Sequence, residues 1–229
     1  METSLHRQLK IRYATSEEQT EVTIDGFRID AISDSNELIE IQHASLGALR
    51  DKTRKLLDSS DRSLRIVKPI VARKRLTTLT RKGGKVKRTR MSSKRGEVLD
   101  LFDDLVHFAT LFPRNRLTLE IVLIELHEFR VDRGVSNWRK KRYECLDQEL
   151  LRVRDSIELR TNADLLALLP IERLPNRFDT AELGVALGKP RWLAQKVAYC
   201  LRKTGAAAVA GKRGKSRLYR IAGIEEEAA

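Results

Sequence analysis

Three polar side chains stand within apolar segments near the N-terminus, and their types suit the handling of phosphates and metal ions. Asp30 lies in FRIDAI, and Glu40 and Gln42 lie in LIEIQ. Because side chains alternate across a strand, Glu40 and Gln42 share one face of their segment. A hairpin through residues 33–36 would bring Asp30 beside Glu40, where two carboxylates repel each other unless a cation neutralises them. Hard oxygen ligands of this kind predict a Mg²⁺ or Mn²⁺ site.

The chain around these residues alternates between helical and strand patterns. In order, the patterns predict a helix at 3–14, a strand at 21–32 with a turn or bulge at Asp25-Gly26, a strand at 37–42, a helix at 45–58 and a buried strand at 63–72. The strand pair would hold the three polar side chains side by side. The alternative is that these side chains occupy the open face of a two-stranded sheet and carry out no chemistry.

The order helix, strand, strand, helix, strand, with Asp-x9-Glu-x-Gln across the strands, resembles the PD-(D/E)XK nuclease superfamily over about residues 1–72. The similarity is to its Holliday-junction-resolvase and restriction-enzyme branches. The resemblance implies that Asp30 and Glu40 are the two metal-binding acids, with Mg²⁺ or Mn²⁺ as the cofactor. It also implies that Glu2, at the start of the first helix, is the extra acid that some members place there.

Gln42 stands where this superfamily usually has lysine, whose charge stabilises the transition state and which helps to orient the attacking water. Glutamine orients water but brings no positive charge, although some restriction enzymes of the superfamily use it. Lys68, in the apolar segment RIVKPI, is the substitute cation if its strand lies beside residues 37–42, and Lys52 is the other candidate. His43 is interpreted as a residue that begins a helix, and nothing in the sequence supports a His or Cys nucleophile.

The last part of the chain, residues 176–224, has the pattern of two helices followed by a basic hairpin. The first helix is expected at 180–187, with Asp179 or Thr180 as its cap. The break Gly-Lys-Pro follows, and the second helix, at 190–204, separates cleanly into an apolar face and a polar face. Two strands around a Gly-Lys-Arg-Gly-Lys tip complete the unit.

This unit resembles the winged helix-turn-helix family over about 48 residues, with the second helix in the recognition position. The resemblance implies that DNA is bound by the polar face of that helix and by the hairpin tip. The side chains concerned are Arg191, Trp192, Gln195, Lys196, Tyr199, Arg202, Lys212, Arg213 and Lys215. The alternatives are an ordinary helical subdomain with a solvated charged face, and a winged helix that contacts another protein.

Positive charge is concentrated in two stretches of the chain. Of its 229 residues, 45 are Lys or Arg and 32 are Asp or Glu, which gives a formal net charge of +13. Residues 62–96 contain fourteen basic residues and no acid, and residues 183–224 contain ten basic residues and no acid. The rest of the chain is acidic on balance, so the two stretches predict a polyanionic partner bound at defined surfaces.

The remaining segments predict a basic hairpin at 74–96, a helix at 94–112, a strand at 117–131, and helices at 147–155 and 161–169. The hairpin is expected to extend the sheet and to contact phosphates, or else to be merely solvated. We therefore predict an α/β (α+β) fold, a PD-(D/E)XK-like mixed sheet flanked by helices plus a C-terminal winged-helix domain. The predicted domains are a nuclease-like unit at 1–131 that includes the hairpin, a connecting helical segment at 132–175 and the winged helix at 176–224.

The function expected from these features is Mg²⁺-dependent hydrolysis of DNA phosphodiester bonds. The alternatives are a nuclease-like protein that no longer cleaves and regulates DNA, and an accessory subunit whose winged helix contacts a protein. No apolar run is long enough to span a membrane and no secretory signal is present at the N-terminus, so a cytoplasmic location is expected. Cys145 and Cys200 lie far apart and suggest no disulfide framework. The sequence leaves open whether the protein acts as a homodimer.

Overall fold

A computed structural model describes residues 2–133 and 142–223 and shows a mixed α+β protein. The helices are α1 (Ser4–Tyr13), α2 (Arg50–Ser59), α3 (Leu101–Leu105), α4 (Asn162–Leu166), α5 (Thr180–Leu187) and α6 (Arg191–Thr204). The strands are β1 (Thr20–Ile24), β2 (Phe27–Ile32), β3 (Leu38–Ile41), β4 (Leu64–Leu79), β5 (Val86–Met91), β6 (Leu117–Asp132), β7 (Tyr143–Leu159), β8 (Ala207–Arg213) and β9 (Ser216–Ile221). The predicted fold class, a mixed sheet with helices, is confirmed.

The large sheet of the described residues contains seven strands in the order β1-β2-β3-β4-β6-β7, with β5 paired to the far half of β4. Strands β1, β2 and β3 form antiparallel pairs, whereas β3 and β4 run parallel. The predicted strand at 21–32 divides into β1 and β2 at Asp25-Gly26, where both residues have positive φ. A two-residue turn of this kind matches the twist of a hairpin and favours glycine at its second position.

One face of the sheet is packed against α1. Leu5 and Leu9 of this helix are fully buried, and they join Ile39, Ile41 and Val67 in one apolar cluster. These residues recur every four positions on the helix and every two on the strand, so the sequence pattern itself dictates which faces meet. Thr3 caps the helix by accepting a hydrogen bond from the N–H of His6. This packing fixes the position of α1 relative to β2 and β3.

Two predicted helices are wrong in whole or in part. Residues 147–155 belong to strand β7, because pairing with β6 overrides the helical spacing of Leu146, Leu150 and Val153. The expected helix at 94–112 shortens to α3, preceded by a single 3-10 turn at Val98–Asp100. Gly96 explains the late start: its N–H donates to the Val71 carbonyl at 2.9 Å, and a Cβ there would lie 2.7 Å from the same oxygen.

The described chain forms two compact units, and neither is continuous in sequence. One unit comprises residues 1–43, 62–98 and 120–157, and it contains most of the seven-stranded sheet. The other comprises residues 44–61, 99–119 and 158–229, and it contains α2 to α6 with the β8–β9 hairpin. The continuous boundaries expected at 131 and 175 do not coincide with this division, and residues 132–175 are not a helical connector, since β7 occupies much of that segment.

Candidate functional site

Strands β2 and β3 bring the two predicted acids to one place. The register of β2 and β3 pairs Ala31 with Ile39, and its continuation by one residue would set Asp30 across from Glu40. Directly opposed residues of an antiparallel pair project from the same face. Glu40 is only 6% exposed, so its carboxylate lies in a partly dehydrated setting. The two acids therefore lie one residue beyond the last paired position of the β2–β3 hairpin, and their action as a pair stays a prediction.

Asp30 is held in place by two hydrogen bonds. One carboxylate oxygen accepts from the Ile41 N–H at 2.8 Å, and the other lies 3.2 Å from His6 Nε2. Burial alone would raise the pKa of this carboxyl, but the hydrogen bonds from His6 and Ile41 outweigh it, and the pKa lies below its ordinary value. Asp30 is thus an oriented, ionised carboxylate.

Lys68 lies on the strand next to Gln42, which was the condition for its predicted role. β3 and β4 are parallel neighbours with Ile41 beside Val67, and the Gln42 N–H donates to the Val67 carbonyl at 2.9 Å. The next position along that register sets Lys68 beside Gln42. The lysine is 5% exposed, and its Nζ donates to the carbonyl of His43 at 3.0 Å. Lys68 is therefore a buried side chain on the strand that adjoins Gln42.

Helix α1 contributes a charged stripe that sequence reasoning recognised only in Glu2. His6 and Lys10 are four residues apart and therefore share one face of α1, and Glu2 lies just before the helix, four residues ahead of His6. Lys10 is 3% exposed and forms ion pairs with Glu2 and with Glu21, the latter at 2.5 Å. Burial by itself would lower the pKa of Lys10, but the two carboxylates raise it above its ordinary value. Glu2, the expected extra metal ligand, is instead a partner of Lys10.

Two histidines belong to this cluster: His6, which the sequence did not single out, and His43, which was interpreted as a residue that begins a helix. His6 contacts Asp30 directly, and its ring centre lies 5.6 Å from that of His43. Burial, together with the positive charges of His6 and Lys68, lowers the pKa of His43 to about 4. His43 is therefore neutral near pH 7. The four-residue spacing of Glu2, His6 and Lys10 was the available signal, but it gained meaning only once α1 was known to pack beside β2.

The donors present suit a metal that is held only in part by protein. Within residues 2–133 and 142–223, no group of three or more His, Cys, Asp and Glu side chains is arranged to hold a metal ion. Mg²⁺, however, is commonly bound through one or two carboxylates, with waters and substrate phosphates as its other ligands. Asp30 and Glu40 fit that kind of site, and Glu2 does not join them.

The predicted DNA-contacting helix is α6, and its two faces separate as the sequence indicated. Leu193, Val197 and Leu201 are buried, whereas Trp192 is 53% exposed and Tyr199 is 38% exposed. Lys196 lies 4.9 Å from the centre of the Trp192 ring. Arg191, Gln195 and the tip residues Lys212, Arg213 and Lys215 are exposed, and Arg202 is half-buried over the Tyr199 ring. Every predicted contact except Lys196 and Arg202 thus lies fully at the surface.

Two of the cations in this region are paired with acids of the same unit. Lys196 Nζ lies 2.8 Å from a carboxylate oxygen of Asp103 on α3. Arg213 at the hairpin makes two hydrogen bonds, of 2.6 and 3.0 Å, to Glu182 of α5. Glu182 also accepts from the N–H of Asp179 in a capping box, so it serves the helix and the arginine together. Residues 183–224 contain no acid, but acids from outside this segment lie next to two of its cations in the structure.

Comparison with known proteins gives two matches to this chain. A family described as "Domain of unknown function (DUF8091)" matches residues 3–160. A protein of Treponema pallidum (strain Nichols) that carries the name "Uncharacterized protein" is 29% identical over 222 residues, which cover 96% of this chain and 85% of that protein. No solved structure matches the chain. In the described part of the chain, no helix combines the length and the apolar composition needed to cross a bilayer.

Proposed function

The chain belongs to the DUF8091 family, and we propose that it is a cytoplasmic, DNA-acting protein whose β2–β3–β4 site is that of a Mg²⁺-dependent endonuclease. The observation that carries the proposal is the parallel pairing of β3 and β4: the N–H of Gln42, directly after β3, donates to the Val67 carbonyl, and Lys68 follows Val67 on β4. This supports a site in which Lys68 of β4 stands in for the lysine that the superfamily usually has where this chain has Gln42, with Asp30 and Glu40 on the adjoining strands β2 and β3. The resemblance to PD-(D/E)XK nucleases supports the same conclusion.

In this proposal Asp30 and Glu40 would hold the metal. When bound, Mg²⁺ would polarise a phosphate oxygen and lower the pKa of a bound water. Lys68 supplies positive charge to the phosphate as its negative charge develops, in a setting that largely excludes solvent. The Gln42 amide orients the attacking water, and the hydrogen bonds from His6 and Ile41 keep Asp30 ionised and oriented.

DNA would be engaged by α6 and the β8–β9 hairpin, in the manner of a winged helix. The exposed face of α6 offers Arg191 and Gln195 for phosphates and base edges, with Trp192 and Tyr199 as flat apolar surfaces. The hairpin tip offers Lys212 and Lys215 for the phosphate backbone. In this proposal, α6 and the β8–β9 hairpin bind the duplex DNA that the β2–β3–β4 site cleaves.

A second candidate function is a nuclease-like protein that binds DNA without cutting it. Three observations favour it: both oxygens of Asp30 accept hydrogen bonds from protein groups, Glu2 is engaged by Lys10, and glutamine stands at position 42. Such a site would have lost the ability to bind metal productively while the surfaces that contact DNA were kept.

Cleavage assays separate the two candidates. Supercoiled plasmid and branched DNA are incubated with the wild-type protein in Mg²⁺, in Mn²⁺ and in EDTA, and with the Asp30→Asn and Glu40→Gln variants. We expect cleavage in either metal, none in EDTA, and a loss of at least about 100-fold in each variant, because removal of one charged group from such a site costs several kcal/mol of transition-state stabilisation.

The matched control is Asp34→Asn, which removes the same charge from an exposed position in the β2–β3 turn. It should cleave like the wild type. Activity that survives Asp30→Asn and Glu40→Gln would rule out this site, and duplex binding without cleavage in any metal would establish the second candidate instead.

A further inference from the structure

Two sets among the fourteen cations of the first basic stretch differ in their surroundings. Arg65, Lys68 and Lys74 point toward protein partners: Arg65 pairs with Glu37 and Glu120, Lys68 bonds the His43 carbonyl, and Lys74 pairs with Glu128. From residue 81 onward the pattern changes. The eight basic residues between positions 81 and 95 are all exposed: Arg81, Lys82, Lys85, Lys87, Arg88, Arg90, Lys94 and Arg95.

None of these eight side chains forms an ion pair with an acid of residues 2–133 and 142–223. Eight like charges within fifteen residues repel one another, and screening by salt relieves this only in part. This cluster of like charges therefore does not stabilise the folded state. A uniform positive surface of this kind matches a polyanion, whose binding would release condensed counterions.

The geometry of β5 gives that charge an ordered form. The register pairs Thr78 with Arg88 and Leu76 with Arg90, so both arginines project from one face of the two-stranded ribbon, two residues apart. On the opposite face, Thr77 lies 2.9 Å from the hydroxyl of Thr89 and 2.7 Å from His127 Nε2, which anchors the ribbon to β6. Arg88 and Arg90 are thus carried on a fixed strand and not on a loose loop.

Taking DNA as the partner from the proposed function, we infer that the β4–β5 hairpin is a second DNA-binding surface, which contacts the phosphate backbone without reading sequence. Arg88 and Arg90 are its central contacts, with Lys87 and the turn cations beside them. It contributes more to the salt dependence of binding than α6 and the β8–β9 hairpin do, since Lys196 and Arg213 of that region are already paired with acids.

The composition of the hairpin favours nucleic acid over a lipid surface. Only Val86 and Met91, one at each end of β5, are exposed apolar residues there, and the strand has no aromatic residue. Surface binding to a membrane needs a contiguous apolar face in addition to charge. The phosphate backbone of duplex DNA, by contrast, needs only an exposed set of cations, which Arg88 and Arg90 supply.

The test is the salt dependence of duplex binding, measured by fluorescence anisotropy with a mixed-sequence 30-base-pair DNA in EDTA between 50 and 300 mM KCl. The variant is R88Q/R90Q. Each lost phosphate contact lowers the slope of log K against log salt by about 0.9, so we expect a slope about 2 smaller and an affinity at 150 mM salt roughly 30-fold weaker.

Two matched controls accompany it. R152Q/R154Q removes two charges from β7, where both arginines pair with Glu125, and should leave the slope unchanged. R88K/R90K keeps the charge and should keep the slope. An unchanged slope in R88Q/R90Q, or an equal loss in R152Q/R154Q, would overturn the inference while leaving the proposed function intact. A wild-type protein that does not bind the duplex would overturn both, and a variant that lost binding only to phosphatidylserine vesicles would assign the hairpin to membranes instead.

Discussion

The two basic regions of this protein carry comparable numbers of cations and differ in the acids around them. In the β4–β5 hairpin, the cations from residue 81 to 95 are exposed and form no ion pair with the described acids. In the α6 region, Lys196 is bound to Asp103 and Arg213 to Glu182. The sequence shows both regions as acid-free, because the acids that neutralise the second lie outside its limits.

The number of basic residues in a sequence segment therefore does not measure its affinity for DNA. Binding depends on the cations that are not already paired with acids of the protein. A paired cation must exchange its carboxylate for a phosphate, so its net gain on binding is small. An unpaired cation exchanges only water and loosely held ions. We therefore expect the hairpin to govern the salt-dependent part of DNA affinity, and α6 to act through its exposed aromatic and amide side chains.

The largest effect should come from removing three charges of β5. In Lys87→Gln, Arg88→Gln, Arg90→Gln, the affinity for duplex DNA at 150 mM salt should fall roughly 100-fold, with a slope nearly 3 smaller. The corresponding change in the other region, Lys196→Gln with Arg213→Gln, should reduce affinity less than about tenfold. Equilibrium titrations at several salt concentrations check this. Equal losses of affinity in the two variants would show that the two basic regions do not differ in their contribution to DNA binding.

Removal of the α6 aromatic residue should affect binding in a different way. Trp192→Ala is expected to weaken duplex binding about tenfold, because burial of a large aromatic side chain against the DNA is worth roughly 1.5–3 kcal/mol. The slope of log K against log salt should stay as in the wild type, since no charge is lost. Trp192→Phe should restore most of the affinity. A slope that changed with Trp192→Ala would show that α6 binds through its cations after all.

Release of a paired cation should strengthen binding. Asp103→Asn removes the carboxylate that lies 2.8 Å from Lys196, and we expect the affinity to rise about fivefold and the slope to increase by about 1. Asp58→Asn, on an exposed acid of the same unit that pairs with Arg114 and not with α6, is the matched control and should change neither quantity. No gain in Asp103→Asn would mean that the ion pair does not compete with DNA.

The smallest effect concerns stability at acid pH. The Glu182 N–H lowers the pKa of Asp179, and Arg213 lowers the pKa of Glu182. Because both pKa values are depressed in the folded state, their contribution is present above the unfolded values and is lost as pH falls through the folded ones. Asp179→Ala should cost about 1 kcal/mol of unfolding free energy at pH 7, and thermal melts should show this difference shrinking toward pH 3. The hairpin variant R88Q/R90Q should show no such pH dependence.

Much of the N-terminal fold could be predicted from periodicity alone. Helix α1, strands β2 and β3, and β6 follow directly from apolar residues recurring every four or every two positions. The spacing of Leu146, Leu150 and Val153 misled the prediction at β7, because those residues satisfy a helical pattern while a neighbouring strand provides their backbone hydrogen bonds. The division into two discontinuous units arises from long-range contacts, which local patterns do not record.

The part of the candidate site that depends on neighbouring strands could be predicted from the sequence. The short turn predicted that the strands of Asp30 and Glu40 are antiparallel neighbours, and the condition set for Lys68, that its strand lie beside β3, is met. The roles of the three side chains stay predictions. The contacts of His6 and Lys10 could not be foreseen, since they depend on how α1 packs against β2. Glu2, the expected third acid, forms an ion pair with Lys10 instead.

The assignment of an endonuclease site to Asp30 and Glu40 is tested most directly by plasmid nicking. The wild type and Glu40→Gln are compared side by side in Mg²⁺, at a DNA concentration that saturates both proteins. Saturation removes differences in binding, so the rates report only the chemistry at the β2–β3–β4 site. We predict measurable nicking by the wild type, none in EDTA, and a rate at least about 100-fold lower for Glu40→Gln. Equal rates for the two proteins, or no nicking by the wild type, would contradict the assignment of an endonuclease site to Asp30 and Glu40.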